Sequence, residues 1–485
     1  MSDAATPRSE PPAPRVYAQP LTLLPLIGVP VFLAIANQTM VSVALPDIGA
    51  DLGQLRRLPW LVMGYMIALT VAGPLYGLLG DMMGRKRMMM TALTVYIAGA
   101  LICASAGNIS VLAAGRLVQG LGGGGLMALS QALIADLVAP RDRGRAQGNI
   151  AAIMMLASTL GPFIGGILVA TMGWRSLFLG TVPLALLAMV LLARQDIPAG
   201  SEPGNRAFDM GGFLTLLALV LGVTAAIELV GDADLRWIAL VGALIGVAGL
   251  AGLIASEKRA RNPLFPPALF RLKAINRASV MVFCHGAAMV SLVTTIPLFH
   301  AILRGDGAVA TASAMLALTL SLGSAGFITG NLITLTGRTL LFPSLTLPVC
   351  AGAILLLATQ GATMGRPALM GTYLAIGLTL GTVMSVMNTV VQNAAPDLVR
   401  GRAAGALTFF RSSGAVVGTA LTSLVLFVVA PGGSDAGSVL GRGATPDAAS
   451  LAGWQSAFTA TFATIAAFIA LEWVMALMNP VRRLD

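Results

Sequence analysis

Apolar blocks of about 20 residues, long enough to cross a hydrocarbon layer, alternate with polar connections along nearly the whole chain. Fourteen segments stand out, at roughly 21–45, 60–80, 88–106, 111–135, 148–171, 176–193, 210–230, 237–255, 278–302, 308–335, 340–360, 367–391, 403–430 and 454–478. The blocks are continuous, so they predict spanning helices; a transmembrane barrel would show short segments of alternating polarity. Residues 1–20 are polar, carry five prolines including Pro7 and Pro20, and lack the features of a cleaved signal peptide. They read as a disordered cytoplasmic tail.

Composition sharpens this picture. Of 485 residues, 56% are hydrophobic and only 10% charged, against roughly 25% charged in soluble domains. A water-soluble enzyme is thereby excluded. The net charge of +10 would suggest a nucleic-acid partner in a soluble protein. Here most Lys and Arg gather in alternate connections, at Arg85-Lys86-Arg87, at Arg141, Arg143 and Arg145, between Lys258 and Arg277, and at Arg482-Arg483. That bias is the signature of cytoplasmic loops. It places both termini in the cytoplasm and leaves no charge to explain by nucleic acid. Trp60, Trp174, Trp237 and Trp454 fall at the predicted outer boundaries, where interfacial anchors belong. The three cysteines, Cys103, Cys284 and Cys350, lie inside apolar blocks and imply no disulfide framework.

The chain also repeats itself. Arg143-Gly144-Arg145-Ala146-Gln147-Gly148 reappears 257 residues later as Arg400-Gly401-Arg402-Ala403-Ala404-Gly405, and the same offset aligns Ala157 with Gly414 and Gly161 with Gly418. Gly77, Asp81, Gly84 and Arg85 align more loosely with Gly330, Thr334, Gly337 and Arg338. The expected organisation is an N-terminal six-helix bundle (21–193), a linker with two extra transmembrane helices (194–275) and a C-terminal six-helix bundle (276–485). Repeated halves around a midplane site are the architecture of alternating-access transporters.

Four motifs carry a resemblance. Gly77-Leu78-Leu79-Gly80-Asp81-Met82-Met83-Gly84-Arg85-Lys86-Arg87 joins the second and third segments. Arg116-Leu117-Val118-Gln119-Gly120 lies in the fourth, and Ala157-Ser158-Thr159-Leu160-Gly161-Pro162-Phe163-Ile164-Gly165-Gly166 in the fifth. Val43-Ala44-Leu45-Pro46 ends the first. Together these resemble the major facilitator superfamily, and the fourteen segments look like its drug:proton antiporter branch of multidrug-resistance-type exporters. The resemblance covers residues 21–480. It implies a cytoplasmic gate at Gly77, Gly80, Asp81, Gly84, Arg85, Lys86 and Arg87, with a degenerate copy at Gly337 and Arg338. It also implies a functional buried Arg116, and an antiporter helix built on Ala157, Gly161, Pro162, Gly165 and Gly166. Independently of any family, small residues at every fourth position make a smooth face for close helix packing.

Ionisable residues at membrane depth are costly and mark function. Arg116, Arg411 and His285 lie inside predicted spans. Glu228 and Glu472 fall toward span ends. Where the resembling family carries an aspartate in the first span this chain has Asn37, and a following family asparagine is Ser42. The midplane is therefore expected to hold Arg and His without a carboxylate. Such a cavity suits neutral or anionic molecules better than lipophilic cations. The candidates for substrate contact or proton coupling are Arg116, Gln119, Asn37, Gln38, His285, Asn388, Arg411, Glu228 and Glu472.

No metal site is expected from the two histidines, His285 and His300. Gly120 and Gly122–Gly125 lack the Lys-Ser/Thr of a phosphate loop, and no catalytic constellation is present, so the chain is not read as an enzyme. The expected function is proton-coupled export of small amphipathic molecules across the cytoplasmic (inner) membrane, with no cofactor besides the proton gradient. The partners are that substrate and the bilayer, with a periplasmic adaptor to be added if the source has two membranes. Two rivals share the fold: a dedicated exporter of one endogenous metabolite or lipid, and a transporter-like sensor that binds ligand without turnover.

Overall fold

The computed structural model describes residues 20–53, 57–137, 143–195, 210–229, 236–259, 267–395, 400–431 and 448–481. The expected tail therefore lies outside the described residues, apart from Pro20. Among them the fold is all-helical. The first six helices are α1 (Pro20–Leu52), α2 (Pro59–Met83), α3 (Arg85–Ala104), α4 (Ile109–Leu137), α5 (Arg143–Met172) and α6 (Arg175–Ala193). A hairpin follows, α7 (Met210–Leu229) and α8 (Arg236–Arg259). After the short α9 (Pro267–Arg271) come α10 (Lys273–Phe299), which runs on through a π-helical turn at His300–Arg304, then α11 (Ala308–Thr336) and α12 (Leu341–Gln360). The last four are α13 (Arg366–Leu380), α14 (Thr382–Ala394), α15 (Arg400–Val429) and α16 (Ala448–Met478).

Thirteen helical stretches among the described residues are long and apolar enough to cross a bilayer, and the apolar part of α5, Leu156–Met172, is shorter. The expected segment 367–391 is two helices, α13 and α14, interrupted at Gly381. There α11 passes so close that a Cβ on Gly381 would fall on the Leu322 carbonyl oxygen.

Helices α1–α6 pack on one another, as do α10–α16, and α7 packs chiefly on α8 while also touching α2 and α15. The two groups repeat each other's packing. In the first, α5 lies on α1, with Gly161 against Ala36 and Thr39 and Gly165 against Met40. In the second, α15 lies on α10, with Gly414 against Phe283 and Gly418 against Ala287. The paired turns match as well. Gly84 between α2 and α3 has φ 92°, and Gly337 after α11 has φ 65°, a region glycine enters without steric cost. The glycines of 120–125 are likewise a packing seam: Gly120 and Gly124 admit α2, and Gly122 and Gly125 admit α3.

The Gly84 turn defines one end of the molecule, called here the turn end; the other is the far end. Among the described residues, most buried apolar side chains fall into two clusters. One joins the far half of the first group (Ala36–Ile48, Leu58–Ile67, Trp174–Phe178) to the whole of α10–α16. The other, including Leu26, Ala72, Met89, Leu129 and Leu192, fills the turn-end half of the first group and contains no residue of α10–α16. The two bundles are thus welded at the far end and have separate cores at the turn end. Gly166 of α5 sits in that weld, against Ala308 and Ala312 of α11.

The tryptophans depart from the expected ring of interfacial anchors. Trp237 is 65% exposed, but Trp454 is fully buried with its ring 6.0 Å from that of Phe458. The helix α16 starts at Ala448, which sets Trp454 about 9 Å inside it. Trp174 is also buried, and its Nε1 donates to Asp51 at 3.0 Å.

Replacing Gly414 with Val drives a side chain into the α10 backbone and costs about 1–3 kcal/mol by overpacking. Gly352 has nothing within 4 Å of its would-be Cβ, so Gly352→Val serves as the control. Thermal unfolding in detergent is expected to show a lower midpoint for the Gly414 variant alone.

Candidate functional site

The sequence-predicted Arg116, Asn37 and Gln119 come together. All three are fully buried. The Arg116 Nε donates to the Leu61 carbonyl at 2.9 Å. Its Nη1 donates to Asn37 Oδ1 and, at 2.9 Å, to Gln119 Oε1. The guanidinium carbon lies 4.2 Å from the centre of the Tyr65 ring, a cation–π geometry. Tyr65 is held in turn by its hydroxyl, which donates to the Ala34 carbonyl at 2.7 Å. One side chain of α4 thereby ties α1, α2 and α4.

The donors outnumber the acceptors here. Nη2 of Arg116, Nδ2 of Asn37 and Nε2 of Gln119 are buried without a partner. The ionisable groups acting on Arg116 are Cys103, Tyr65 and Tyr96, with no carboxylate among them. A buried cation normally takes a carboxylate partner. At the position where one would stand, Asn37 supplies a neutral oxygen and two further N–H donors.

A second buried site lies in the other bundle and corrects an expectation. The midplane was predicted to be free of carboxylates, with Glu472 near an inner span end. Glu472 does lie toward the end of α16, but it is 0% exposed and sits 3.4 Å from Nδ1 of His285, itself 1% exposed. The helical register explains this. Phe458, Phe462, Ile465, Ile469 and Ala476 form the buried stripe of α16, and Glu472 is in phase with it. Period-3.6 spacing, read strictly, carried that signal.

A third constellation escaped the sequence reading, which weighed His300 only as a metal ligand. At the π-helical turn, His300 Nδ1 contacts Asp306 Oδ2 at 2.8 Å and its Nε2 contacts the Tyr373 hydroxyl at 2.9 Å. Arg304 bonds Asp306 through Nε at 3.3 Å and donates through Nη1 to the carbonyls of Gly361, Ala362 and Met364. Arg366 lies 3.6 Å from Asp306 Oδ1. Asp306 and Gly307 line a far-end cavity of about 210 Å³ whose other wall is Val43, Pro46, Asp47 and Ala50 of α1. The short run Arg304-Gly305-Asp306-Gly307 was the available hint: Gly305, with φ 62°, turns the chain so that Asp306 faces back to His300.

The remaining candidates are not part of these clusters. Gln38 and Arg411 are half-buried and Asn388 is exposed on α14. Among the described residues Arg411 makes no ion pair. The side chains of Asp81 and Glu228 lie outside the described residues. Within the gate motif, Gly84 forms the turn and Gly80 admits Leu129 of α4, while Gly77 meets nothing within 4 Å. Lys86 donates to the carbonyls of Ala193 and Gln195 at 3.0 and 2.6 Å, capping α6 of its own bundle. Arg85 is half-buried and Arg87 exposed; in the second copy Gly337 caps α11 and Arg338 is exposed. Of the antiporter motif, Ala157, Gly161, Pro162, Gly165 and Gly166 are all buried, and α5 continues through Pro162.

Asp306→Asn removes the charge that holds His300, Arg304 and Arg366, and should loosen the wall of the far-end cavity. A Gly307→Cys reporter measures this, since the three native cysteines are buried. Labelling by a membrane-impermeant maleimide is expected to rise severalfold in the Asp306→Asn background.

Comparison with known proteins agrees with this architecture. The Major Facilitator Superfamily pattern matches residues 29–419. An uncharacterised MFS-type transporter of Mycobacterium tuberculosis (strain H37Rv) is 34% identical over 406 residues, which are 82% of this chain and 58% of that protein. The chain thus spans under two thirds of that relative's length. The multidrug transporter MdtP of Bacillus subtilis (strain 168) is 28% identical over 81% of this chain and 73% of its own. Among solved structures, a bacterial homolog of the human lysosomal transporter Spinster, inward-facing and unoccupied, superposes with a TM-score of 0.68. That match has 15% identity and covers 96% of this chain and 98% of the other. The sequence motifs, the two packed bundles and these matches lead to one conclusion: the chain belongs to the major facilitator superfamily and is a multi-pass membrane protein.

Proposed function

We propose that this protein exports small amphipathic molecules by proton-coupled alternating access, with a preference for neutral or anionic substrates. The observation that carries the reading is Arg116, a fully buried cation whose contacts are neutral and which, with Asn37 and Gln119, leaves three donor nitrogens unused. An anionic group or a polar oxygen on the substrate satisfies those donors, whereas a cation there meets uncompensated positive charge. The far-end weld and the separate turn-end cores are one extreme of a rocking motion between the 21–193 and 276–485 bundles. In this reading the turn end faces the cytoplasm, both termini lie there, and the protein resides in the cytoplasmic membrane. The 77–87 loop latches that side, with 330–338 as its weaker partner. A relative named as a multidrug transporter supports export over import.

The test is proton movement in inverted vesicles, followed with a pH-sensitive dye, on adding 1-anilinonaphthalene-8-sulfonate (anionic), N-phenyl-1-naphthylamine (neutral) or ethidium (cationic). Proton efflux is expected with the first two and not with ethidium, and should be abolished by Asp81→Asn. Selective ethidium-driven efflux would refute the preference. A static sensor would bind these probes and move no protons. The variant Asn37→Asp gives Arg116 its missing carboxylate. It should depress sulfonate flux by about tenfold or more, the loss of roughly one charge-assisted hydrogen bond, while leaving the neutral probe less affected.

A further inference from the structure

The transport reading leaves open where the proton is held, since the first-span position that would carry an acid is Asn37. We infer that the coupling proton resides in the C-terminal bundle, on Glu472, and leaves through His285. This rests on the proton-coupled reading above, and the site was not apparent as a pair from sequence.

The geometry favours a protonated carboxyl over an ion pair. Both Glu472 oxygens and His285 Nδ1 are buried, and none of the three makes a formal hydrogen bond, although Oε1 and Nδ1 stand 3.4 Å apart. A buried ion pair is stable only with close geometry and further hydrogen bonds to the spare lone pairs. Glu472 has neither, so two neutral groups are the cheaper occupants of that space. The surroundings supply no competing charge. The ionisable groups near Glu472 are His285 and Cys284 on α10 and Cys350 on α12. Thiols buried in apolar surroundings are inert. The third neighbouring helix, α15, carries Arg411, which makes no ion pair among the described residues.

The transfer itself is short. Nδ1 without a partner is the acceptor nitrogen of a neutral imidazole whose proton is on Nε2. As the bundles rock and water reaches the ring, the Glu472 O–H bond breaks and an N–H bond forms at Nδ1. The proton on Nε2 passes to that water. No electrons change hands, and the pair ends one proton poorer, with the carboxylate ready for reloading. The N-terminal bundle, with its buried Arg116, would then handle substrate and the C-terminal bundle the proton.

Two readouts test this. Infrared difference spectra of the protein in liposomes, taken between acidic and alkaline buffer, need no substrate. A protonated-carboxyl C=O band is expected in the wild type and absent from Glu472→Gln; identical spectra would overturn the assignment. In the same liposomes, Glu472→Gln should keep exchange of 1-anilinonaphthalene-8-sulfonate and lose at least about tenfold of its proton-driven accumulation. Undiminished accumulation would overturn the proposal. If Glu472→Gln also loses exchange, the same split is read on His285→Asn, and loss of exchange in both marks the pair as structural and ends the idea. Should the wild type move no sulfonate, the transport reading fails by itself, and the infrared result alone decides the proton site.

Discussion

A guanidinium at membrane depth has to be solvated by the protein itself, and much of the N-terminal bundle is arranged around that need. Arg116 takes the Leu61 carbonyl, the amide oxygens of Asn37 and Gln119 and the face of Tyr65. Those acceptors come from α1, α2 and α4. The glycines that let α2 and α3 close onto α4 follow directly after Gln119, so close helix approach and cation solvation are built into the same turns of one helix. The solvation is also incomplete by charge. Neutral oxygens offset the cation less than a carboxylate would, and on the proposed reading that shortfall is what a polar or anionic substrate group offsets.

The two bundles share a packing plan but divide the charge. The N-terminal bundle buries the cation Arg116 without an acid; the C-terminal bundle buries the acid Glu472, on α16, with only a histidine beside it. On the proposed reading, a substrate group drawn to the first and a proton held at the second do not compete for one residue. Coupling between them would then pass through the interface of the bundles. The far-end weld supplies a continuous apolar core through which such a bias can be felt.

Much of this was legible from sequence, for reasons that can be named. Continuous apolar blocks and paired glycine turns are local signals, and they located the helices and the repeat that Gly84 and Gly337 realise. Arg116 and Gln119 share one helix face at spacing three, so their meeting is implicit in the sequence; the arrival of Asn37 from α1 is not. Glu472 does lie near the end of α16 as its position in the span implies; distance from a span end, however, does not tell that its phase on the buried stripe turns it inward to His285. The His300–Asp306–Tyr373 cluster needed the π-helical turn, which no propensity announces, and a contact across 73 residues. Trp454 failed as an anchor because the helix began six residues earlier than hydropathy placed it.

The far end shows how a closed state can remain reversible. A seam that buried large interlocking side chains would cost too much to open, since each state must stay within a few kcal/mol of the other. Here part of the contact of α5 with α11 is Gly166 on Ala308 and Ala312, where little side-chain surface is at stake. The strong polar contacts nearby, from His300, Arg304 and Asp306 to Tyr373 and the 361–364 carbonyls, all run within the C-terminal bundle. They stiffen that bundle's rim, and in the proposed rocking motion they need not break when it swings away from α1. Small residues across the seam and charged ones behind it thus separate two demands, a rigid bundle and a weak interface, which a single set of contacts could not meet together.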